Sequence, residues 1–455
     1  MFKTADVRFM RSVFSVITIV SLAGLVGACA YSTPPDPRGP KSWVVANVTS
    51  KTTQELYSDW IAPAVYERSG SKVIGNYTVE SGNLIMPDKS IGSLVTVRNI
   101  DGSLTAVIEE KGRSGLVRIN NEGQGTFTPY LPEDYSRPDT VSNKGEVVSS
   151  DAEHATDESY VIDMFIGYSR SAAEAGGGDV VANALAKVES VNLALRNSLV
   201  TNVTLKLVGV QVVEQNYPVT TEVLTNVDKI FKEGVDRSRP DLIYGMFSGH
   251  PDDSAVGWGN VRGRKAISHV NGEAFRHEVG HNAGGSHCYG DGGTLISFAH
   301  GYNNGKTTTI QCGNESPFYS NPAIKDADGL PLGNSVTANM ALMWRMSAKR
   351  LSSYAPTVEL SAPSQARVVT TSYDSITFRW NEAPRATKYE IWGRDNILLP
   401  PKKFAESSTL EAEVTGVPSG LRPYHVVAVY VDGAKSPPSN IVSAKPYDAV
   451  VKNIK

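Results

Sequence analysis

Three cysteines in 455 residues are too few for a disulfide-built scaffold. Basic side chains are no more numerous than acidic ones, 44 against 47. The electrostatic footprint of a nucleic-acid-binding protein is therefore missing, and no nucleic-acid partner is expected. No apolar run reaches the roughly 20 residues that a spanning helix needs. No long-period repeat marks a solenoid. Gly176–Gly178 lacks the flanking residues of a phosphate loop and reads as a turn into a helix. These absences leave a soluble, folded, multidomain chain whose function has to be read from a site.

The N-terminus carries the first positive signal. Lys3, Arg8 and Arg11 precede an apolar run from Val13 to Ala28, which ends in Val26-Gly27-Ala28-Cys29. A basic stretch, a short apolar run and small residues describe an export signal over residues 1–28. Small residues leading into a cysteine resemble the bacterial lipobox. That resemblance implies cleavage before Cys29, lipid on Cys29, a membrane partner through that anchor, and a Pro-rich tether over 29–40. The expected location is the cell envelope, or the exterior if the signal is an ordinary secretory one. With Cys29 set aside, Cys288 and Cys312 remain as an even pair: a disulfide is favoured over two buried thiols.

Four zones follow. Residues 41–132 alternate apolar and polar in short runs between turn residues, as in Gly92-Ser-Leu-Val-Thr-Val, and read as a small antiparallel β unit. Residues 133–158 hold eight acidic side chains against Arg137 and Lys144, a composition expected of an exposed linker. In 159–355 strand-like runs (Tyr160 to Tyr168, Val203–Val213, Asp241 to Phe247) alternate with helical ones. One helix is expected to start at an Asp179 N-cap and to show one apolar face through Val181, Ala184, Leu185, Val188, Val191 and Leu195. Another is expected across 222–237. Residues 357–447 carry period-2 strands around Trp380, Trp392 and Tyr424 and read as a β-sandwich. That zone resembles a fibronectin type III module, a spacer or a binding appendage for a surface protein or glycan.

Chemistry concentrates in His277-Glu-Val-Gly-His281-Asn-Ala-Gly-Gly-Ser-His287. On a helix His277 and His281 share a face one turn apart. Gly284 can take a positive φ, end the helix and return His287 to a third corner. Three neutral imidazoles with a fourth position left to water make a catalytic Zn2+ site, and Glu278 stands beside it as proton acceptor and donor. HExxH alone arises on ordinary amphipathic helices; the extended HExxHxxGxxH spacing is far more specific. His250, His269 and His300 read as packing or turn residues.

On these residues the chain resembles the metzincin peptidases, and among them the reprolysin-like (adamalysin-type) bacterial enzymes, over about residues 160–354. The resemblance implies an α/β catalytic domain with a mixed sheet and a zinc helix, flanked by the N-terminal β unit and the C-terminal sandwich. It implies His277, His281 and His287 as zinc ligands, Glu278 as the catalytic acid/base, and a protein or peptide substrate. Phe298-Ala-His-Gly-Tyr302 and Phe318-Tyr-Ser-Asn-Pro322 are similar to family segments. Val256-Gly-Trp-Gly-Asn-Val261 falls near the edge strand that aligns substrate in that family, or is a turn around a buried Trp258.

The chain departs from the family at the methionine turn. Thr309-Ile-Gln311-Cys312 places glutamine where methionine is expected, and Thr294-Leu-Ile-Ser297 is the other alignment. The competing function is then a catalytically weakened surface adhesin or binding lipoprotein on the same scaffold. Residues 41–132 stand where such enzymes carry a propeptide. With no cysteine between Cys29 and Cys288, that unit has no thiolate for the metal, and inhibition is expected only by covering the cleft.

Overall fold

The computed structural model describes residues 41–447 apart from 61–63, 133–137, 143–154, 156, 292–295, 397 and 418. The export signal and Cys29 lie outside the described residues, as do most of the acidic linker and Thr294. Strands dominate and helices are few. No helix among the described residues is long and apolar enough to cross a membrane.

The first layer is a seven-stranded antiparallel sheet of order β1-β7-β6-β5-β4-β3-β2. Its elements are β1 (Lys41–Val44), α1 (Thr53–Trp60), β2 (Val65–Ile74), β3 (Tyr77–Ile85), β4 (Ile91–Asn99), β5 (Leu104–Glu110), β6 (Arg113–Ile119) and β7 (Gln124–Pro129). Except for β1, which pairs with β7, strands next to each other in the chain pair with each other, the arrangement that short turns dictate.

The second layer is a six-stranded sheet of order β10-β9-β11-β13-β12-β8. It is built from β8 (Thr140–Ser142), β9 (Tyr160–Ser169), α2 (Arg170–Ala175), α3 (Val180–Asn197), β10 (Val203–Val213), α4 (Thr221–Ile230), α5 (Lys232–Ser238), β11 (Leu242–Phe247), β12 (Gly257–Val261) and β13 (Lys265–His269). β9, β10, β11 and β13 run parallel, and β12 turns back antiparallel on β13. α6 (Phe275–Ala283) and α7 (Met340–Leu351) close this layer from the same side as α3.

α3 lies between the two sheets. Asp179 caps it, its side chain accepting from Ala182 N, a contact worth about 1 kcal/mol. The single apolar face expected from the sequence understates its burial. Every residue from Ala182 to Leu195 is buried, including Asn183, Lys187, Glu189, Ser190 and Asn192. The reason is tertiary: the N-terminal sheet covers the polar side, so Val79, Val95, Val97, Val107 and Leu116 join the same core as Ile162, Leu193 and Val279. Polar contacts complete the interface. Glu189 accepts from Ser81 Oγ at 2.7 Å and pairs with Lys72 at 2.8 Å, and Asp179 accepts from Asn99 Nδ2 at 3.0 Å.

The single helix expected over 222–237 is two, α4 and α5, broken at Phe231, whose ring is buried in a separate cluster with Phe165 and Phe247. Two further sheets, of three and four strands, face each other across Phe378, Trp380, Ile391 and Tyr424 and form a C-terminal sandwich. Arg385 fastens it to the second layer. Its guanidinium pairs with Asp163 at 2.7 Å and donates to Ser238 O at 2.6 Å. At the opposite end Gly75, in the turn between β2 and β3, meets Gly433 of the sandwich backbone to backbone; both have positive φ, 57° and 78°.

Candidate metal centre

α6 carries the first two histidines, and all nine of its residues are buried. Its C-terminus is closed by a Schellman pair, Gly284 N–H to His281 O at 2.9 Å and Gly285 N–H to Gly280 O at 3.0 Å. Gly284 sits at φ 117°, which a side chain would resist, and the chain turns sharply into the short strand Ser286–Cys288. This turn returns His287 to the helix. The nitrogen pairs His281–His277 and His287–His277 lie 2.9 and 3.1 Å apart at Nε2.

Nitrogens this close need a proton or a cation between them, and the outer face of two of the rings shows where a proton sits. His277 Nδ1 lies 3.0 Å from Ile310 O and His281 Nδ1 2.8 Å from Gly285 O, so each donates its proton outward. Burial, reinforced by neighbouring His281, pushes His277 down to about 4, so it is neutral near pH 7. A neutral His277 that donates from Nδ1 turns an unprotonated Nε2 inward. Tetrahedral ligands about 2.0–2.1 Å from a zinc ion stand roughly 3.3 Å apart, close to the spacing here. The donor set fits such a cation.

The fourth corner is filled by a residue the sequence did not single out. Asp139, 1% exposed, brings its carboxylate 3.2 Å from His277 Nε2, 3.5 Å from His281 Nε2 and 2.8 Å from His287 Nε2. Burial alone would raise this carboxyl, but its three imidazole neighbours outweigh burial and hold it well below the usual carboxylate range. These four side chains form the potential metal-binding group found among the described residues. Two sequence expectations are corrected here. The linker is not exposed at Asp139 and Val141, because β8 pairs with β12. The fourth position is not left to water but is faced by a carboxylate. Nothing in the sequence distinguishes Asp139 from the seven other acids of its segment; only the sheet register brings it to the ring.

Glu278 is fully buried one residue beyond the first histidine. Its carboxylate lies against β12, where side chains would collide with it. A methyl on Gly257 would overlap Oε1, and one on Gly259 would come within 2.8 Å of Oε2. The amide of the same Gly259 donates to Asp139 O at 3.0 Å. β12 thus sets Glu278 and the fourth corner side by side. Trp258, on the other face, is partly buried against the Phe165 cluster and donates to Ser254 Oγ at 3.0 Å.

Beneath the ring runs the turn Ile310–Cys312. Ile310 O holds His277, and Gln311 lies under the helix, its Nε2 3.4 Å from His281 Nδ1 and its Oε1 so close to Gly280 that a methyl there would overlap it. Gln311 Oε1 is buried and has no hydrogen-bond partner among the described residues. Cys288 and Cys312 form a disulfide with a Cα–Cα distance of 4.9 Å. It ties the segment bearing His287 to the turn under His277. Tyr319 Oη donates to Arg276 O at 2.8 Å, and His300 Nδ1 lies 3.2 Å from His287 O, so both brace the site. His269 pairs with Asp253 at 3.0 Å, and His250 donates its backbone amide to the same Asp253; neither faces the ring.

Arg276, beside His277, is buried and reaches the N-terminal sheet, pairing with Glu109 at 3.0 Å and donating to Asn314 Oδ1 at 2.9 Å. Lys187 approaches the same cluster from α3, its ammonium 4.1 Å above the Tyr130 ring.

No protein-family model matches the chain, and no curated protein matches it. Among solved structures, a chaperone–substrate complex aligns at 21% identity over 55% of this chain and 39% of that one, with a TM-score of 0.38. The chain therefore spans about two fifths of that protein's length. The fibronectin-type structure FN3tt aligns at 23% identity over 20% of this chain and 97% of its own, TM-score 0.17. A Fn3-like protein from Clostridium thermocellum aligns at 22% identity over 20% of this chain and 95% of its own, TM-score 0.18. None of these likenesses identifies an activity, which leaves the ring of three imidazoles as the ground for one.

Proposed function

We propose that the chain is an exported zinc endopeptidase of the reprolysin-like metzincin type, anchored in the cell envelope through Cys29 and cleaving protein or peptide substrates. The observation that carries the reading is the convergence of three imidazoles on one point, two of them tethered outward through Nδ1, with a buried carboxylate on the residue that follows the first of them. His277, His281 and His287 would hold zinc. When bound, the ion supplies Lewis acidity toward water and the scissile carbonyl. Glu278, walled by Gly257 and Gly259, accepts the proton of the attacking water and returns it to the leaving amine. The C-terminal sandwich contributes no residue to this site and is read as a spacer or a binding module for a surface protein or glycan.

The test pairs metal analysis with digestion of a peptide library, on the full chain and on a form with Asp139 replaced by alanine. One zinc per molecule is expected, with cleavage abolished by a chelator and lowered at least about 10²-fold by Glu278→Ala. Cleavage that survives Glu278→Ala, or a preparation that retains no stoichiometric metal, refutes the assignment. Gln311 favours the competing reading of a weakened, binding-only protein, because a polar amide lies under the ring. That reading requires full metal occupancy without turnover in the Asp139-substituted form.

A further inference from the structure

We propose that the free end of the C-terminal sandwich is a membrane contact in its own right, a tip that seats leucine and tyrosine side chains among the headgroups of an anionic phospholipid surface. The inference goes beyond the peptidase reading and does not depend on the zinc site.

Strand pairing shows which end is free. The strand Lys388–Gly393 runs antiparallel to Arg422–Val429, with Lys388 opposite Val429 and Gly393 opposite Tyr424. The end that holds Lys388 and Val429 is taken up by docking: Arg385 leads into it and pairs with Asp163, and Gly433, just beyond it, meets Gly75. At the opposite end three turns and the exit of the last strand come together. Val417 N–H donates to Asp374 O at 2.9 Å, Tyr447 N–H to Ser372 O at 2.7 Å, and Arg422 Nη1 to Arg394 O at 3.4 Å.

That end is unusually apolar for a surface. Tyr373, Leu398, Leu399, Leu421 and Tyr447 are each at least 50% exposed there. A single exposed leucine is ordinary on a soluble protein, whereas a gathering of large apolar side chains marks a contact surface. The two adjacent leucines are held out by a built turn. Leu398 N–H donates to Asn396 Oδ1 at 3.1 Å and Leu399 N–H to Asn396 O at 3.0 Å, and Pro400-Pro401 stiffens the chain that follows. Little ordering entropy is then lost on contact.

Charge selects the surface. The same turns and strand exit carry Arg394, Lys402, Arg422 and Lys445 against Asp374 and Asp395, four cations to two carboxylates and a net charge of +2. Lys402 pairs with Asp395 at 2.5 Å and lies 4.8 Å over the Phe404 ring, so its charge is fixed beside the leucines. Aliphatic side chains ringed by cations suit the boundary between headgroups and acyl chains, and tyrosines place a hydroxyl at its polar level. A chain held by lipid on Cys29 works beside such a surface, which makes phospholipid the occupant of this end.

The test uses the chain from residue 29 onward, which keeps every residue the structure describes, with Cys29→Ser so that no lipid anchor contributes. Cosedimentation is measured with vesicles of phosphatidylcholine alone and of phosphatidylcholine mixed with phosphatidylglycerol. Binding to the mixed vesicles is expected, and it should weaken as salt is raised. Leu398→Ser with Leu399→Ser should weaken it at least about tenfold, and Lys445→Gln about fivefold. Both forms should keep the parent's urea midpoint, because these side chains stand in solvent. No sedimentation with either vesicle, or sedimentation that the leucine substitutions leave unchanged, overturns the proposal. Equal binding to the two kinds of vesicle overturns its anionic part. A dimer that forms without vesicle binding and dissolves on the leucine substitutions also overturns it, since a second copy of the chain would then cover this end.

Discussion

Replacing Lys187 with methionine tests how the N-terminal layer sits on α3. Lys187 is fully buried, and burial pushes its ammonium down to about 8, against opposing attraction from Glu109. A lysine lowered from 10.5 to about 8 in the folded state carries a penalty of about 3 kcal/mol whenever it is protonated in both states, at 1.36 kcal/mol per unit. Between those two values the unfolded chain binds more protons, so folded stability rises with pH; below about 8 the full penalty is present. Methionine fills similar volume without the charge, but forgoes the contact with Tyr130, worth about 1 kcal/mol. The remaining charges stay balanced, since Arg276 pairs with Glu109 and burial raises the Glu273 carboxyl toward its neutral form. Lys187→Met is therefore expected to stabilise the chain by about 2 kcal/mol near pH 7, the advantage shrinking as pH approaches 10.5. Urea unfolding of both proteins at several pH values measures this, and groups common to both cancel in the difference. A variant less stable at neutral pH, or a difference that ignores pH from 8 to 10.5, would refute the picture of a charge buried at cost under the sheet.

Opening the disulfide by Cys288→Ala with Cys312→Ala should cost about 3 kcal/mol by loop entropy, for a separation of 24 residues, read as a fall in the urea midpoint. It should also weaken zinc in chelator competition, because His287 and the turn under His277 then move independently. Gln311→Met removes a buried carbonyl oxygen without a hydrogen-bond partner and should raise stability by about 1 kcal/mol in the same assay. A loss of stability there would mean that the packing of the glutamine beneath the helix outweighs the orphaned oxygen.

What the sequence made legible was local. The spacing of His277, His281 and His287 specifies a helix and a turn, and those need only 3.6 residues per turn and one glycine to position them. The Asp179 cap and the strands at 160–168, 203–213 and 241–247 were readable for the same reason. Asp139 was not, because its role comes from a parallel pairing with β12, a strand more than a hundred residues later. Nor was the burial of Lys187 and Glu189, since a polar helix face looks solvated until another layer covers it. The break at Phe231 belongs with these: helix propensity runs through it, and an aromatic pocket overrides it.

Gly75 and Gly433 give the architecture a third point of attachment, one made of main chain alone. A side chain at either site would wedge the first-made and last-made parts of the polypeptide apart, since a methyl on Gly75 would overlap the backbone of Asp432 and Gly433. The β2–β3 tip is therefore gripped from the far end of the molecule while its sheet rests on α3. A sheet seated on an apolar core at one end and held main chain to main chain at its tip has little freedom to rotate, so the sandwich helps fix its orientation on α3.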